Sequence, residues 1–176
     1  MKQPANEDAP CAKPNQGRAS GAAFLLAQLG AHAASRFAAR LGQLELVPAQ
    51  AGVLRILAAM PAITQQTLAT ALGTLPSRLV AIVDELESKN LLERRPHERD
   101  RRSYALHLTE KGKSTLQAIG KIAREHQQAL LTALSEDEQA ALADVLQRVA
   151  DQQGLSRGVH PGLGDKGRDE GASKPE

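Results

Sequence analysis

The sequence predicts a mainly α fold with one small β-hairpin, and three observations support this class. Hydrophobic residues make up 41% of the 176 residues, yet aromatic residues make up only 2%. The core must therefore consist largely of Ala and Leu, which are strong helix formers. Apolar residues also recur at spacings of three and four along most of the chain, and the period changes to two only near residues 104–108.

Neither end of the chain has a periodic apolar pattern. Residues 1–18 and 155–176 are rich in polar residues, Gly and Pro, which is typical of disordered tails. The folded domain is therefore predicted to span residues 19–154. We expect a cytoplasmic protein, because no apolar run approaches the roughly 18 residues of a membrane span and the N-terminus lacks an apolar signal region.

Two helices are predicted before residue 61. The first spans residues 22–41, and its apolar residues fall on one face. Pro48 suits the first turn of the second helix, which ends near Met60 and Pro61. The apolar face of the first helix consists of Phe24, Leu25, Leu29, Ala33, Phe37 and Leu41.

A helix-turn-helix is predicted between residues 64 and 89. Thr64 can cap a short third helix that runs to Leu72, and Gly73 ends that helix. The fourth helix begins near Pro76 and runs to Lys89. A short helix and a tight turn before a longer helix match helix-turn-helix connectivity. The core-facing residues of the fourth helix are Leu79, Ile82, Val83 and Leu86, and Asn90 follows where a left-handed residue is often needed.

A two-stranded β-hairpin follows the fourth helix. Residues 92–95 read as a short extended segment and residues 96–102 as a charged turn. The second strand is indicated by Tyr104, Leu106 and Leu108, which alternate with Ala105 and His107 as in a half-buried strand.

Two further helices complete the predicted domain. Thr109 can cap a helix over residues 110–134, and Ser135 with Glu138 forms a capping box that opens the last helix. The last helix has an apolar face made of Ala141, Leu142, Val145, Leu146 and Val149.

The basic residues point to duplex DNA as the ligand. The formal net charge is only +2, but six basic residues cluster between residues 89 and 104, which indicates a small anionic footprint. The second helix of a helix-turn-helix enters the major groove with its N-terminal part, where Arg78 can donate two hydrogen bonds to guanine. The scarcity of aromatic residues argues against single-stranded ligands. The predicted contacts here are Thr74, Ser77, Arg78 and Ala81.

The hairpin tip is also predicted to contact DNA. Arginines on a narrow loop suit the minor groove, where negative potential is focused, and Asp100 is expected to orient Arg102 through an ion pair. The alternative is that Arg78 and the tip are ordinary solvated charges, and the succession of helix-turn-helix and hairpin favours DNA. The predicted DNA contacts of the hairpin are Arg95 at the end of its first strand and, at its tip, Arg99, Asp100, Arg101 and Arg102.

The stretch from residue 86 to residue 112 resembles the signature of the MarR family. It contains an Asp-x-Arg pair at the hairpin tip, formed by Asp100 and Arg102, and Arg95 matches the arginine at the end of the first strand. Leu108, Thr109 and Gly112 match the Leu-Thr-x-x-Gly that closes the hairpin. The sequence departs from the family at three positions, with Ala81 and Glu85 in the fourth helix and Asn90 in place of a glycine.

The resemblance implies a winged helix-turn-helix over about residues 48–108. It also implies that helices over about residues 19–42 and 110–153 form a dimerisation bundle. It implies a homodimeric transcriptional regulator, a repressor released from a pseudo-palindromic DNA site by a small-molecule effector. The apolar faces of the first and last helices also favour a dimer, because such faces are rarely left exposed. The alternatives are packing of these faces within one chain, and activation in place of repression.

An effector pocket is predicted from three polar residues on one face of the first helix: His32, Arg36 and Arg40. The alternatives are a solvated basic face or a second approach to DNA. A thiol-based redox sensor using Cys11, the single cysteine, is a further alternative. A sole cysteine excludes an intrachain disulfide and fits a reducing compartment.

Catalytic and metal-binding signatures do not stand out in the sequence. It has no glycine-rich phosphate loop, nucleophile elbow or paired histidine ligands, and the five histidines are dispersed. We therefore expect a protein that is not an enzyme and that binds no metal or cofactor. The rival class is a winged-helix protein-interaction module without DNA binding.

Overall fold

The computed structural model describes residues 21–96 and 103–155. These residues fall into two compact units, one up to Ala34 and the other from Ser35 onward. The predicted tails and the predicted hairpin tip, including Cys11, lie outside the described residues. The elements are α1 (Ala22–Leu41), a 3₁₀ turn (Gly42–Leu44), α2 (Pro48–Ala59), β1 (Ile63–Thr64), α3 (Gln65–Leu72), α4 (Pro76–Ser88), β2 (Leu92–Pro96), β3 (Tyr104–Leu108), α5 (Glu110–Leu130) and α6 (Glu136–Gln152).

The helices begin where their capping residues predict. The Thr64 hydroxyl accepts a hydrogen bond from the Thr67 N–H, and the Thr109 hydroxyl accepts one from the Gly112 N–H. Ser135 and Glu138 form the predicted capping box. Each cap satisfies a backbone donor that the helix itself leaves without a partner.

The core of the second unit is built from leucines of α2, α3, α4 and the sheet. On α4, the side chains of Leu79, Val83 and Leu86 are fully buried, and Ile82 is half-buried against them. This fixes the rotation of α4, since its remaining sides must face away from the core. The large side chains with almost no exposure elsewhere in the core are Leu41, Leu54, Leu57, Leu68, Leu72, Leu92 and Leu106.

The sheet has three antiparallel strands in the order β1-β3-β2, so the predicted two-stranded hairpin was incomplete. Ile63 of β1 pairs with Leu106 of β3, and on the other side of β3 Arg94 pairs with Leu106. Strand β1 was not predicted, because its two residues are too few to show a strand period.

Two further predictions need correction. The predicted alternation in β3 is wrong at its start, because Tyr104 is 59% exposed whereas Ala105 and Leu106 are both buried. Consecutive side chains of a strand point to opposite faces, so the burial of both Ala105 and Leu106 shows that β3 is covered on both faces at this point. The predicted helix over residues 110–134 ends earlier, at Leu130. The Gln139 amide donates to the carbonyls of Leu131 and Leu134 and so stabilises a turn at that point.

None of the helices within residues 21–96 and 103–155 is both long enough and apolar enough to cross a lipid bilayer.

Candidate nucleic-acid interface

Helix α4 presents the predicted groove-contacting side chains on its exposed side. Ser77, Arg78 and Ala81 are exposed, on the side away from the buried leucines. The helix starts with Pro76, and its N-cap residue Leu75 supplies no side-chain hydrogen bond. The N–H groups of its first turn are therefore of the kind that proteins direct at phosphate. Arg78 can reach a base edge from this position if α4 enters a major groove.

The turn before α4 follows the predicted geometry. Gly73 adopts a left-handed conformation with φ of 59° and donates to the carbonyls of α3. The Thr74 N–H donates to the Ala69 carbonyl over 3.1 Å, and the Thr74 side chain is half-buried. Thr74 therefore helps to close the turn, and its contact with DNA stays a prediction.

A buried glutamine on α2 contacts α4, the predicted recognition helix, from one side. Gln50 is only 2% exposed, and its Nε2 donates to Glu85 Oε2 over 2.5 Å. Its Oε1 accepts from the Val47 N–H over 3.1 Å. Glu85 thus satisfies a buried amide that has little access to water. This role accounts for an acidic residue at a position where the family often has a polar or basic one.

An arginine on β2 contacts the recognition helix from the other side. The Arg94 guanidinium donates to Glu87 Oε2 through Nη1 and to Asp84 Oδ1 through Nη2, the latter over 2.5 Å. The Arg94 backbone N–H also donates to Glu87 Oε1 over 3.2 Å, and Nη2 lies 3.5 Å from Gln65 Oε1 on α3. One side chain therefore joins β2, α3 and α4.

The surroundings of Arg94 favour its charged form. Burial by itself would lower the pKa of Arg94, but the hydrogen bond with Asp84 and the negative charges of Glu87 and Asp84 outweigh it and raise that pKa above its ordinary value. Arg94 was predicted only as one of the six basic residues between residues 89 and 104, with no role of its own. A signal was present, because the period of two places Arg94 on the same face of β2 as the buried Leu92.

Arg95 points away from that face and lies at the surface. Its side chain is 60% exposed, and its Nε and Nη2 donate to Glu93 Oε1 over 2.9 and 2.5 Å. An exposed pair of this kind contributes little to stability and exchanges partners easily. Arg95 is therefore positioned to contact an anion. The hairpin of β2 and β3 is the wing of the fold, and the other predicted contacts of this wing, Arg99, Asp100, Arg101 and Arg102, lie outside the described residues.

The closing motif joins the end of α4, the start of β2 and the start of α5. Asn90 is left-handed with φ of 56°, as predicted. The Thr109 hydroxyl donates to the Asn90 carbonyl over 2.7 Å, and the Thr109 N–H donates to the Leu91 carbonyl over 3.2 Å. Gly112 packs against the same carbonyl, where a Cβ would lie 1.9 Å from the oxygen. The glycine of the motif is therefore required by close backbone approach.

An open groove of about 770 Å³ lies between the end of α2, the sheet and the start of α5. Its lining combines apolar side chains, Leu57, Leu108 and Leu116 among them, with charged ones such as Arg95 and Lys113. Small-molecule sites in proteins share this combination of apolar lining and a few polar groups. The remaining lining residues are Ala58, Pro61, Glu93, His107, Thr109, Glu110 and Gln117.

The three residues predicted to line an effector pocket lie on α1 and do not line this groove. His32 and Arg36 are exposed, whereas Arg40 is half-buried with its Nη1 4.0 Å from Glu125 Oε2. Their role stays a prediction. Within the part of the chain that the structure describes, no group of three or more potential metal ligands comes together.

The order α3, turn, α4, hairpin defines the class of the protein, a winged helix-turn-helix. A sequence model of the MarR family matches residues 46–104, from just before α2 to the start of β3. The solved structure of the transcriptional repressor CouR, bound to a 23-mer DNA duplex, is 32% identical to this chain with a TM-score of 0.67. That match covers 80% of this chain and 99% of the CouR chain. The chain belongs to the MarR family.

Other relatives agree with this assignment. The chain is 33% identical over 104 residues to a protein of Thauera aromatica named for transcriptional regulation of the hcr operon, and 32% identical over 89 residues to the HTH-type transcriptional regulator BilQ of Clostridium symbiosum. These alignments take in 59% and 51% of this chain, and 63% and 62% of the relatives' own lengths. A mutant MarR from E.coli complexed with operator DNA matches 71% of this chain and 90% of its own, at 26% identity and a TM-score of 0.63.

Proposed function

We propose that this protein is a homodimeric transcriptional regulator that binds a pseudo-palindromic site in duplex DNA, represses transcription, and is released by a small-molecule effector. The observation that carries the proposal is the exposed side of α4, which presents Ser77, Arg78 and Ala81 next to the strands of the wing. The structures of CouR and of the E.coli MarR mutant, which both hold DNA, support DNA as the partner.

DNA binding is tested by fluorescence anisotropy at physiological salt. The probe is a duplex from the region upstream of the protein's own gene, and a scrambled duplex is the control. If both probes bind weakly and equally, the upstream duplex lacks the specific site, and the protein is used to select its binding site from a pool of random duplexes. Binding that prefers one sequence and weakens steeply with salt supports the proposal, because arginine contacts to phosphate release counterions. Absence of binding at low salt refutes it and favours the protein-interaction module.

Two arginine variants separate the roles of the helix and the wing. Arg78→Ala is expected to cost about 1–3 kcal/mol on the best site and to relax specificity, because Arg78 is assigned to a base edge. Arg102→Ala is expected to weaken binding to all sequences alike, because Arg102 is assigned to the backbone and minor groove. Arg124→Ala removes an exposed positive charge from α5 and is the matched control. The wing assignment fails if Arg102→Ala binds like wild type.

Homodimer formation is supported by apolar side chains that each terminal helix leaves exposed. On α1, Phe24 is 59% exposed and Leu29 is 56% exposed; on α6, Val145 is 46% exposed and Val149 is 42% exposed. Apolar side chains that stay in water contribute no burial free energy to a monomer, whereas a partner copy would bury them and so stabilise a dimer. A two-fold dimer is expected to bind half-sites about 34–36 Å apart.

Light scattering after size exclusion tests the dimer. The mass should be twice the 18.7 kDa of one chain. Val149→Lys should shift the mass toward one chain, because it places a charge in the apolar interface. Val47→Lys is the matched control, since Val47 is 54% exposed and lies outside the terminal helices. A single-chain mass for wild type at micromolar concentration would refute the dimer.

Effector release is supported by the groove between α2, the sheet and α5. Arg95 lines this groove and is also assigned to DNA. A ligand carboxylate or phenolate that draws Arg95 away from phosphate would bind better to the free protein than to the complex, which is the condition for release. A panel of aromatic acids and phenols, added to the preformed DNA complex, tests this. An effector that also works on Arg95→Ala would have to bind elsewhere.

Repression is tested with a reporter gene behind the selected site. Deletion of the regulator should raise expression, because a dimer bound over a promoter blocks polymerase. Lower expression after deletion would show activation.

A further inference from the structure

We propose that Arg94 is a positioning residue that fixes the angle between the recognition helix α4 and the wing, so that both reach the DNA at once. The proposal rests on the proposed function, because it assigns Arg94 a role in DNA binding. It differs from the roles of Arg78 and Arg102 in that Arg94 acts through other protein groups and touches no DNA.

The contacts of Arg94 span the two elements that would have to move together. Arg94 belongs to β2, the strand that leads into the wing, and its guanidinium holds both Asp84 and Glu87 of α4. Its backbone N–H binds Glu87 as well, so the strand is anchored to the helix through main chain and side chain. A rotation of the wing about Leu91 or Leu92 would break all of these contacts.

The chemistry of the pair of acids requires an arginine at this position. Asp84 and Glu87 are three residues apart on a helix and therefore lie side by side, where two like charges repel. A guanidinium presents several N–H donors in a rigid plane and can hold two carboxylates at once, whereas a lysine is a single mobile charge. The Arg94 side chain is 24% exposed and that of Glu87 is 38% exposed, so solvent screens their contact less than that of an ordinary surface pair, whereas Asp84 is 57% exposed and its contact is screened more.

The same contacts argue against a direct contact of Arg94 with phosphate. Both terminal nitrogens of Arg94 already donate to carboxylates of the protein. A phosphate would have to displace a carboxylate at short range, with a second carboxylate beside it. Arg94 should therefore contribute nothing to counterion release, even though it lies in the basic cluster of the sequence.

The decisive test is the sign of the effect when the acids are neutralised. The double variant Asp84→Asn, Glu87→Gln removes two negative charges from the DNA-facing domain, which by charge alone should tighten DNA binding. If the acids act through Arg94, the double variant should instead weaken binding, on the order of tenfold, as expected when members of one contact network are separated. Asp144→Asn on α6 is the matched control for charge, because Asp144 is exposed.

The salt dependence separates positioning from phosphate contact. Arg94→Ala should weaken binding by a similar factor with an unchanged slope of log K against log salt, whereas loss of a phosphate contact lowers the slope by about 0.9 per protomer, or about 1.8 for the proposed dimer. Arg94→Lys should recover only part of the affinity. Tighter binding by the double variant, or a lower slope for Arg94→Ala, would overturn the proposal.

A measurement on the free protein keeps the test independent of DNA binding. In a Cys11→Ser background, spin labels at positions 88 on α4 and 104 at the start of β3 report the distance between recognition helix and wing. Wild type should give a narrow distribution, and Arg94→Ala and the double variant should broaden it while the far-UV circular dichroism stays unchanged. Unchanged distributions would refute positioning. If wild type binds no duplex but the distributions broaden, the proposed function fails while the geometric role of Arg94 holds.

Discussion

Replacing Gly112 by alanine tests the close approach between α5 and the turn after α4. A Cβ at position 112 would lie 1.9 Å from the Leu91 carbonyl oxygen and 2.9 Å from its carbon, and real Cβ atoms essentially never come within 3.0 Å of another atom. The carbonyl oxygen would therefore have to move away by about 1.1 Å, which is the difference between its 1.9 Å distance and the 3.0 Å limit. It is not free to do so, because it also accepts the hydrogen bond from the Thr109 N–H.

The expected cost follows from two opposing effects. Overpacking a well-packed site costs about 1–3 kcal/mol, and the upper end applies here because the clash is with backbone. Alanine is a better helix former than glycine by up to about 1 kcal/mol, which offsets part of the cost. The net loss should be about 2 kcal/mol. For a chain of this size that corresponds to a melting temperature lower by roughly 4–8 °C.

Thermal denaturation followed by circular dichroism measures the effect, with Gly120→Ala as the matched control in the same helix. The nearest atom to a Cβ at position 120 is the flexible end of Arg124, at 3.5 Å. Gly120→Ala should therefore stabilise the protein by up to about 1 kcal/mol. The two variants thus have opposite predicted signs. Equal effects of Gly112→Ala and Gly120→Ala would refute the close approach.

Two further predictions concern hydrogen-bonded acids. Hydrogen bonds from the Ser135 backbone N–H and hydroxyl lower the pKa of Glu138 below its ordinary value, so ionised Glu138 stabilises the fold above about pH 4.3 and loses this effect as the pH falls through its lowered pKa. The difference in melting temperature between wild type and Glu138→Gln should therefore be largest near neutral pH and shrink on acidification; a constant difference would contradict the capping role. Glu85→Ala leaves the buried amide of Gln50 without its acceptor, and urea denaturation should show a loss of about 1–3 kcal/mol. Glu85→Gln keeps an acceptor for the Gln50 amide and should lose clearly less stability. Equal losses of stability for the two variants would show that the hydrogen bond between Gln50 and residue 85 does not stabilise the fold.

The parts of the fold that sequence predicts are those whose cause lies within a few residues. Thr64, Thr109 and Ser135 cap their helices through partners three residues away. Gly73 and Asn90 have the left-handed conformation that their positions predict. The core face of α4 was predictable for the same reason, because the repeat that marks it is local to one helix.

The parts that sequence does not predict depend on partners far along the chain. Gln50 and Glu85 are 35 residues apart, and nothing near either residue indicates the other. Strand β1 owes its existence to pairing with β3, in which Thr64 pairs with Ala105 and Ile63 with Leu106, since two residues have no strand pattern of their own. Arg94 is intermediate. An arginine on the same face of β2 as the buried Leu92 needs a carboxylate partner, and the strand period predicts that face. The strand period does not predict which acid is the partner.

The structure also lowers the number of basic residues between residues 89 and 104 that are available to contact phosphate. Six positive charges lie between residues 89 and 104, which at about 0.9 per phosphate would contribute roughly 5.4 per protomer to the salt slope. Lys89, however, donates to the Glu45 carbonyl over 2.6 Å, and Arg94 is held by α4. Four arginines remain, Arg95 among them, and their contribution should not exceed roughly 3.6.

This count can be checked residue by residue. Lys89→Ala should leave the salt slope of DNA binding unchanged, because its ammonium group is engaged by the protein backbone. Arg95→Ala should lower the slope by about 0.9 per protomer, or about 1.8 for the proposed dimer, because Arg95 needs only to exchange an exposed carboxylate, Glu93, for a phosphate. The reverse result, a lower slope for Lys89→Ala and none for Arg95→Ala, would mean that the internal contacts of the free protein do not persist on DNA. The acids around the recognition helix would then oppose DNA binding and would not shape the surface that performs it.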